Sequence, residues 1–374
     1  MKKLLIYFVL LIIMLAMLSV PSEAVSDIEA NEIAQEIEHE LSAAVDSDVR
    51  NILKEIGMDG FSFDDVYNIS LQSISRFFAD TLKNKISDTA FEFAELMGVI
   101  LLVGVLSVIF ADSKNDELLN IIAMTVISLL SVKSVSVSMS AVISTLEMSG
   151  KFMLSFVPIY ALIISLGGNP STALTYNTFV IGFAEILSSF ITGGITDLLG
   201  VFFCLGISFS FNGGINTGRI ISAVSKIFNT VIGFASSVFT GFLSLKSILS
   251  SSVDSLSIKS IRFVIGSMIP VIGSSISDAY SSLLGSINLI KGSVAIVGIL
   301  VIIIINIPII FETLTHYISF TLLSHIAESV SAGRCSDVLK CFACGIRMLL
   351  LVCIFEMFIL IISTGILLSV KNGG

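Results

Sequence analysis

The stretch GSVAIVGILVIIIINIPIIF, residues 292–311, decides the fold class of this chain. It contains no charged side chain, and almost every residue in it is apolar. An α-helix rises about 1.5 Å per residue, so a helix of this length matches the ~30 Å hydrocarbon core of a lipid bilayer. The sequence therefore predicts a membrane-spanning helix at this position.

The segment before this helix is apolar but carries polar groups that are costly in lipid. Residues 264–290 include several serines and Asp278, and Pro270 removes one backbone donor from a helix. An ionised carboxylate at the bilayer centre costs about 3 kcal/mol unless it is paired or hydrated. We therefore expect this segment to pack inside a helix bundle. Residues 253–263 alternate apolar and polar side chains, which predicts a run along the membrane surface.

The composition of the whole chain is typical of membrane proteins. Of its 374 residues, 55% are hydrophobic and 13% are charged, whereas soluble domains contain about 25% charged residues. The sequence therefore predicts an all-α fold, a polytopic membrane helix bundle. The net charge of −9 arises from residues 21–92, which carry 16 acidic and 5 basic residues. Because no basic patch with interleaved aromatic residues occurs, we expect no nucleic-acid binding.

The N-terminus has the pattern of a secretory signal peptide. Residues 1–24 contain Lys2 and Lys3, then an apolar run, then the small residues Ser22 and Ala24 before a cleavage position. An uncleaved membrane anchor is the alternative, and both place the following residue outside the cytoplasm. Residues 25–92 are then predicted to form a small, acidic, helical extracytoplasmic domain. Its acidic face is either a solvated surface or a docking surface for a basic partner.

Residues 93–374 are predicted to form a multi-span transmembrane domain with between about six and eight spans. Basic residues flank residues 227–245 on both sides, so we expect a re-entrant or interfacial element there. Residues 312–331 are amphipathic, which predicts a separate lateral helix at the membrane interface.

The acidic residues within apolar segments are the best candidates for a functional site. In one interpretation they line a polar passage or a proton path. In the other they pair with Lys226, Lys291 or hydroxyl groups and serve packing. The candidate residues for a polar pathway or for packing are Asp278, Glu185, Asp197, Glu356, Pro270 and Lys291.

Signatures of catalysis do not occur in the sequence. It has no GxSxG, HExxH or P-loop motif, and its histidines lie in unrelated contexts. Cys341 and Cys344 form a lone CxxC motif near Cys335, and we interpret these cysteines as free, small core residues rather than a metal site. We therefore expect no enzymatic activity, no metal and no cofactor.

Two longer stretches carry a resemblance to a known family. They are KSIRFVIGSMIPVIGSSISDA (259–279), followed by Lys291 and the apolar helix, and FMLSFVPIYALIISLGGNPSTALTYNTFV (152–180). Together with the N-terminal signal and the acidic segment, they resemble the stage III sporulation protein AE family of endospore-forming bacteria. The similarity extends in order over nearly the whole chain.

The resemblance implies a role in sporulation. By analogy, the protein is an integral component of the mother cell-to-forespore channel, in the mother-cell membrane surrounding the forespore. It is required for forespore development and late forespore sigma factor activity. The implied partners are the other subunits of the stage III sporulation complex, its ring and ATPase components, and the lipid bilayer. The alternatives are a stand-alone secondary transporter or permease for a small solute, and a scaffold without a pore.

Overall fold

The computed structural model describes residues 28–45, 47–55, 57–58, 71–109, 116–189, 194, 196–211, 217–268, 273–330 and 332–368. Within these residues the chain forms nine helices and no strand. The helices are α1 Ile28–Ala44, α2 Ser47–Glu55, α3 Leu71–Ile109, α4 Asp116–Leu166, α5 Pro170–Ser189, α6 Thr196–Phe211, α7 Thr217–Met268, α8 Gly273–Ser329 and α9 Gly333–Leu368. The predicted all-α fold is confirmed.

Five of the described helices are long and apolar enough to cross a membrane. They are Gln72–Ile109 of α3, Glu117–Leu166 of α4, Gly218–Phe242 of α7, Ile287–Ser329 of α8 and Gly333–Gly365 of α9. The protein is therefore an all-α, polytopic membrane helix bundle. Asp197–Phe211 of α6 is a shorter apolar helix. The described residues thus contain five candidate spans, and the expected total of six to eight spans stays a prediction.

Three predicted separate elements are instead parts of continuous helices. The predicted re-entrant element at 227–245 and the surface run at 253–263 both lie in α7, and the lateral helix predicted at 312–331 continues α8. No proline or glycine lies in residues 242–265 or 309–331 to end these helices. Prolines inside α4 and α8 also fail to break them, since packed neighbours can satisfy the freed backbone groups.

The long helices exceed the thickness of the bilayer core. The apolar part of α4 spans 50 residues and that of α8 spans 43. At a rise of about 1.5 Å per residue these lengths are about 75 and 65 Å, more than twice the ~30 Å hydrocarbon core. Part of the bundle must therefore project beyond the hydrocarbon region.

Helix α8 forms the centre of the bundle. It packs against α9, α3 and α4, and 94% of its most apolar 18-residue window is buried inside the protein. The corresponding window of α7 is only 11% buried and that of α3 only 22%. The most apolar stretch of the sequence is thus covered by protein, while α7 and α3 leave apolar surface available for lipid.

Contacts between individual residues show the directions of α3, α4 and α9 relative to α8. Lys85 meets Glu312 and Gly104 lies against Val330, so α3 runs parallel to α8. Helix α4 runs antiparallel, with Phe156 against Gly298 and Ser149 against Asn306. Helix α9 follows the turn at Val330 and runs in the opposite direction to α8, as the ring contact between Phe320 and Phe342 shows.

The first two helices pack onto the bundle. Ile37 and Leu41 of α1 and Leu53 of α2 are buried, and these helices contact α4 and α8. Helix α3 continues without a break through position 92, where the predicted extracytoplasmic domain ends. The division at 25–92 and 93–374 stays a prediction, and the predicted signal peptide at 1–24 lies outside the described residues.

The cysteines are free thiols, and four of the five are buried. These four are Cys335, Cys341, Cys344 and Cys353, whereas Cys204 is exposed. The burial of Cys341 and Cys344 agrees with their interpretation as small core residues, and the expected absence of a metal stays a prediction.

Candidate functional site

A polar seam runs between α3, α4 and α8. We define the polar seam as Lys85, Thr89, Glu92, Ser138, Glu312, Thr315 and His316. The three residues from α3 are spaced four and three apart, and those from α8 three and one apart. Such spacings place the side chains of each helix on one face, so two polar stripes meet along the parallel pair.

Each turn of the α3–α8 pair carries one polar contact. Lys85 Nζ donates to Glu312 Oε2 at 2.6 Å, and the hydroxyl oxygens of Thr89 and Thr315 lie 3.1 Å apart. The third contact joins His316 Nε2 to Glu92 Oε2 at 3.1 Å. The three contacts fix the register of α3 on α8.

His316 connects the seam to α4. Its Nδ1 lies 3.0 Å from the backbone oxygen of Glu312 and 3.4 Å from Ser138 Oγ. The backbone oxygen and the Glu92 carboxylate are both acceptors. An imidazolium, with a proton on each nitrogen, donates to both of them, whereas a neutral ring donates to only one. His316 therefore joins α3, α4 and the preceding turn of α8 at one point of the seam.

The pairs in the seam are partly shielded from solvent. The side chains of Glu312 and His316 are 14% and 10% exposed, and those of Lys85 and Glu92 are 28% and 40% exposed. Fully exposed ion pairs contribute about 0–1 kcal/mol, and removing one partner of a buried pair costs about 3–5 kcal/mol. We place the Lys85–Glu312 pair between these limits, at about 2 kcal/mol.

A second set of polar residues is buried in α4, α8 and α9, and we define the inner polar group as Ser149, Asn306 and Glu356. Asn306 is fully buried, and its Nδ2 donates to Ser149 Oγ and to the Ile302 carbonyl, each at 3.0 Å. Asn306 lies 24 residues before Val330 and Glu356 lies 24 residues after Ala332. With equal rise in both helices, Asn306 and Glu356 therefore lie at the same level of the α8–α9 hairpin.

This inner polar group has unsatisfied oxygens. Asn306 Oδ1 and Glu356 Oε2 have no hydrogen-bond partner among the described residues, and Glu356 is only 4% exposed. Burying polar groups without partners costs stability. Intramembrane groups of this kind are usually kept for a function.

The structure separates the predicted site residues rather than collecting them in one passage. Glu356 and Lys291 are buried in the bundle, whereas Glu185 on α5 and Asp197 at the start of α6 are exposed. The backbone at Asp278 belongs to α8, but its side chain is outside the part of the chain that the structure describes, as is Pro270. The roles assigned to these residues stay predictions.

Sequence reasoning missed most of the polar seam. Lys85, Thr89 and Glu92 were assigned to the extracytoplasmic domain, and Glu312 and His316 to an interfacial helix. The available signal was the polar stripe on each helix. Nothing in the sequence indicates that the two stripes meet, because more than 220 residues separate them.

We predict that Glu356→Gln stabilises the purified protein. Glutamine keeps the shape but removes a carboxyl group that is buried without a full set of partners. The expected gain is about 1 kcal/mol, equivalent to a rise in Tm of about 2 °C, measured by thermal unfolding in detergent.

Glu147→Gln is the matched control, because Glu147 is an exposed glutamate on α4. Its effect should stay within about 0.5 kcal/mol. A lower Tm for Glu356→Gln than for this control would contradict the prediction.

Comparisons with known proteins identify the family. Neither the search of curated proteins nor the search of solved structures found a match. The family model described as Stage III sporulation protein AE matches residues 61–370, which include the whole polar seam and the inner polar group. The chain therefore belongs to the stage III sporulation protein AE family.

Proposed function

We propose that the protein is an integral membrane component of the mother cell-to-forespore channel, required for forespore development and late forespore sigma factor activity. One observation favours a subunit of a larger channel over a pore formed within a single chain. The axis of the bundle is filled by the apolar helix α8, with 94% of its most apolar window buried.

Because α8 fills the centre of the bundle, the described part of a single copy of the protein has no open path for a solute along this centre. Ala295, Val301 and Ile302 of α8 are completely buried, as are Val338 and Ile346 of α9. Close-packed apolar side chains exclude water. A passage would therefore form between neighbouring subunits rather than within a single chain.

The outer helices offer surface for such an assembly. Ile227, Val231, Phe234 and Val238 are exposed along α7. Leu102 and Val108 near the end of α3 are 60% and 75% exposed. These surfaces fit lipid contact, and they also fit contact with other subunits of a membrane complex.

The proposed partners are the ring and ATPase components of the stage III sporulation complex. The sequence has no P-loop, so we assign nucleotide hydrolysis to a partner and propose no enzymatic activity for this chain. The proposed location is the mother-cell membrane surrounding the forespore.

A stand-alone permease is the second candidate. It is favoured by the buried polar groups Lys291, Asn306 and Glu356 inside the bundle, since transporters place such groups near the bilayer midplane. A permease would move a small solute without any other subunit.

The two functions are separated by purification and by reconstitution. Tagged protein extracted from sporulating cells in mild detergent should co-purify with ring and ATPase subunits. An equally tagged unrelated membrane protein should not co-purify with them.

Loss of the gene should abolish late forespore reporter expression, and wild-type complementation should restore it. Normal spore formation without the gene, or solute flux by the protein alone in liposomes, would contradict the proposal.

A further inference from the structure

A shallow polar pocket lies between α7 and α9. Its volume is about 430 Å³ and it opens at the protein surface. The residues lining it are Ser222, Ser225, Lys226, Asn229 and Thr230 of α7 and Arg347 of α9. The α7 residues recur every three or four positions, so they form one face of that helix.

The pocket carries two positive charges, and no carboxylate lines it among the described residues. Lys226 is exposed, and Arg347 is half-buried and donates to Ser225 Oγ. The buried Nε of Arg347 has no hydrogen-bond partner among the described residues, and neither cation forms an ion pair with a described carboxylate. An unpaired cation within a membrane-spanning segment is costly, and an anionic ligand removes that cost.

The surroundings of the pocket are apolar. It lies in the first half of the candidate span Gly218–Phe242. On the neighbouring stripe of α7, Ile227, Val231 and Phe234 are 65%, 47% and 70% exposed. A ligand that combines an anionic head with apolar chains matches this arrangement.

We propose that the pocket between α7 and α9 binds the phosphate headgroup of an anionic phospholipid. Lys226 and Arg347 supply the charge, and the Asn229 amide supplies a further donor. The hydroxyls of Ser222 and Thr230 donate to backbone carbonyls at 3.0 and 2.8 Å, so they line the pocket as acceptors. The inference is independent of the proposed channel function.

A phospholipid fits better than a soluble phosphate compound. One phosphodiester carries a single negative charge, which two cations hold, and Arg347 offers several donors in a fixed plane. Cationic side chains near a membrane surface attract anionic lipids by about 1 kcal/mol each. The exposed apolar stripe beside the pocket accommodates acyl chains, which a soluble phosphate lacks.

Native mass spectrometry of the full-length protein in neutral detergent tests the proposal. The probes are phosphatidylglycerol and phosphatidylcholine with the same acyl chains, each with and without excess inorganic phosphate. Wild-type protein should bind phosphatidylglycerol about 25-fold more tightly, about fivefold for each cation. The K226Q/R347Q variant should lose this preference. K151Q, which changes an exposed lysine on α4, should keep it.

Equal affinity for the two lipids in the wild type would overturn the proposal, as would a preference retained by K226Q/R347Q. Displacement of phosphatidylglycerol by inorganic phosphate would show a site for soluble phosphate and would also overturn the lipid assignment. If the double variant unfolds at a lower temperature than K151Q, K226Q alone decides the question. Lys226 is exposed, so K226Q should fold and lose about fivefold in preference, and an unchanged preference would refute the site.

Discussion

Gly298→Leu is expected to destroy the folded bundle. A Cβ atom at position 298 of α8 would overlap the ring of Phe156 on α4. That ring is completely buried and is stacked between Phe152 and Tyr160, with ring centroids 5.3 and 5.4 Å away. Because the ring has no free space to enter, α4 and α8 would have to separate.

The expected cost of this substitution exceeds the usual penalty for overpacking, which is about 1–3 kcal/mol. Thermal unfolding in detergent and the yield of heat-resistant spores are the two readouts. Gly285→Leu is the control, because position 285 of the same helix is exposed and its Cβ would meet nothing within 4 Å. The Gly298→Ala variant adds only the Cβ atom that overlaps the Phe156 ring. Adding Phe156→Leu to that variant should recover stability relative to Gly298→Ala alone. An unchanged Tm for Gly298→Leu would show that α4 and α8 do not pack as described.

Glu312→Lys is expected to cause the second-largest loss. It replaces the 2.6 Å ion pair with Lys85 by two like charges in a partly shielded position. The lost attraction alone is worth about 2 kcal/mol, and the new repulsion adds to it. We expect a lower Tm and a large loss of complementation in a strain that lacks the gene.

The charge-swapped double variant makes this test specific to the pair. Lys85→Glu combined with Glu312→Lys restores opposite charges and should recover most of the lost stability. Glu328→Lys is the matched control, because Glu328 pairs with Lys340 at a more exposed site of the same helix. That change should cost no more than about 1 kcal/mol. Failure of the swap to rescue Glu312→Lys would refute the seam as an energetic contact.

The sequence predicted the helical class but not the environment of the main helix. Residues 292–311 are apolar all round, and a helix without a polar face has no periodicity to show whether lipid or protein surrounds it. Only the tertiary contacts show that Phe156 and its neighbours cover this helix. The helix was therefore predicted correctly, and its central place in the bundle was not.

The candidate site was less accessible to prediction than the fold. Glu356 was identified because a carboxylate is rare in an apolar segment, and it is indeed buried. Lys85 and Glu312 were not linked because 227 positions separate them. Lys85 lies in the predicted extracytoplasmic domain, and Glu312 looks like an ordinary charge at the end of an apolar run. Pairing of distant helices determines the seam, and local sequence patterns do not encode that pairing.

The central claim is that α8 is enclosed by protein. It is tested most directly by labelling native membranes with a carbene reagent that partitions into lipid, followed by peptide mass spectrometry. We predict strong labelling of residues 227–242 in α7, because only 11% of the most apolar stretch of α7 is buried. We predict protection of residues 294–307 in α8, because 94% of the most apolar stretch of α8 is buried. Equal labelling of the two segments would contradict the account, because α8 would then face lipid.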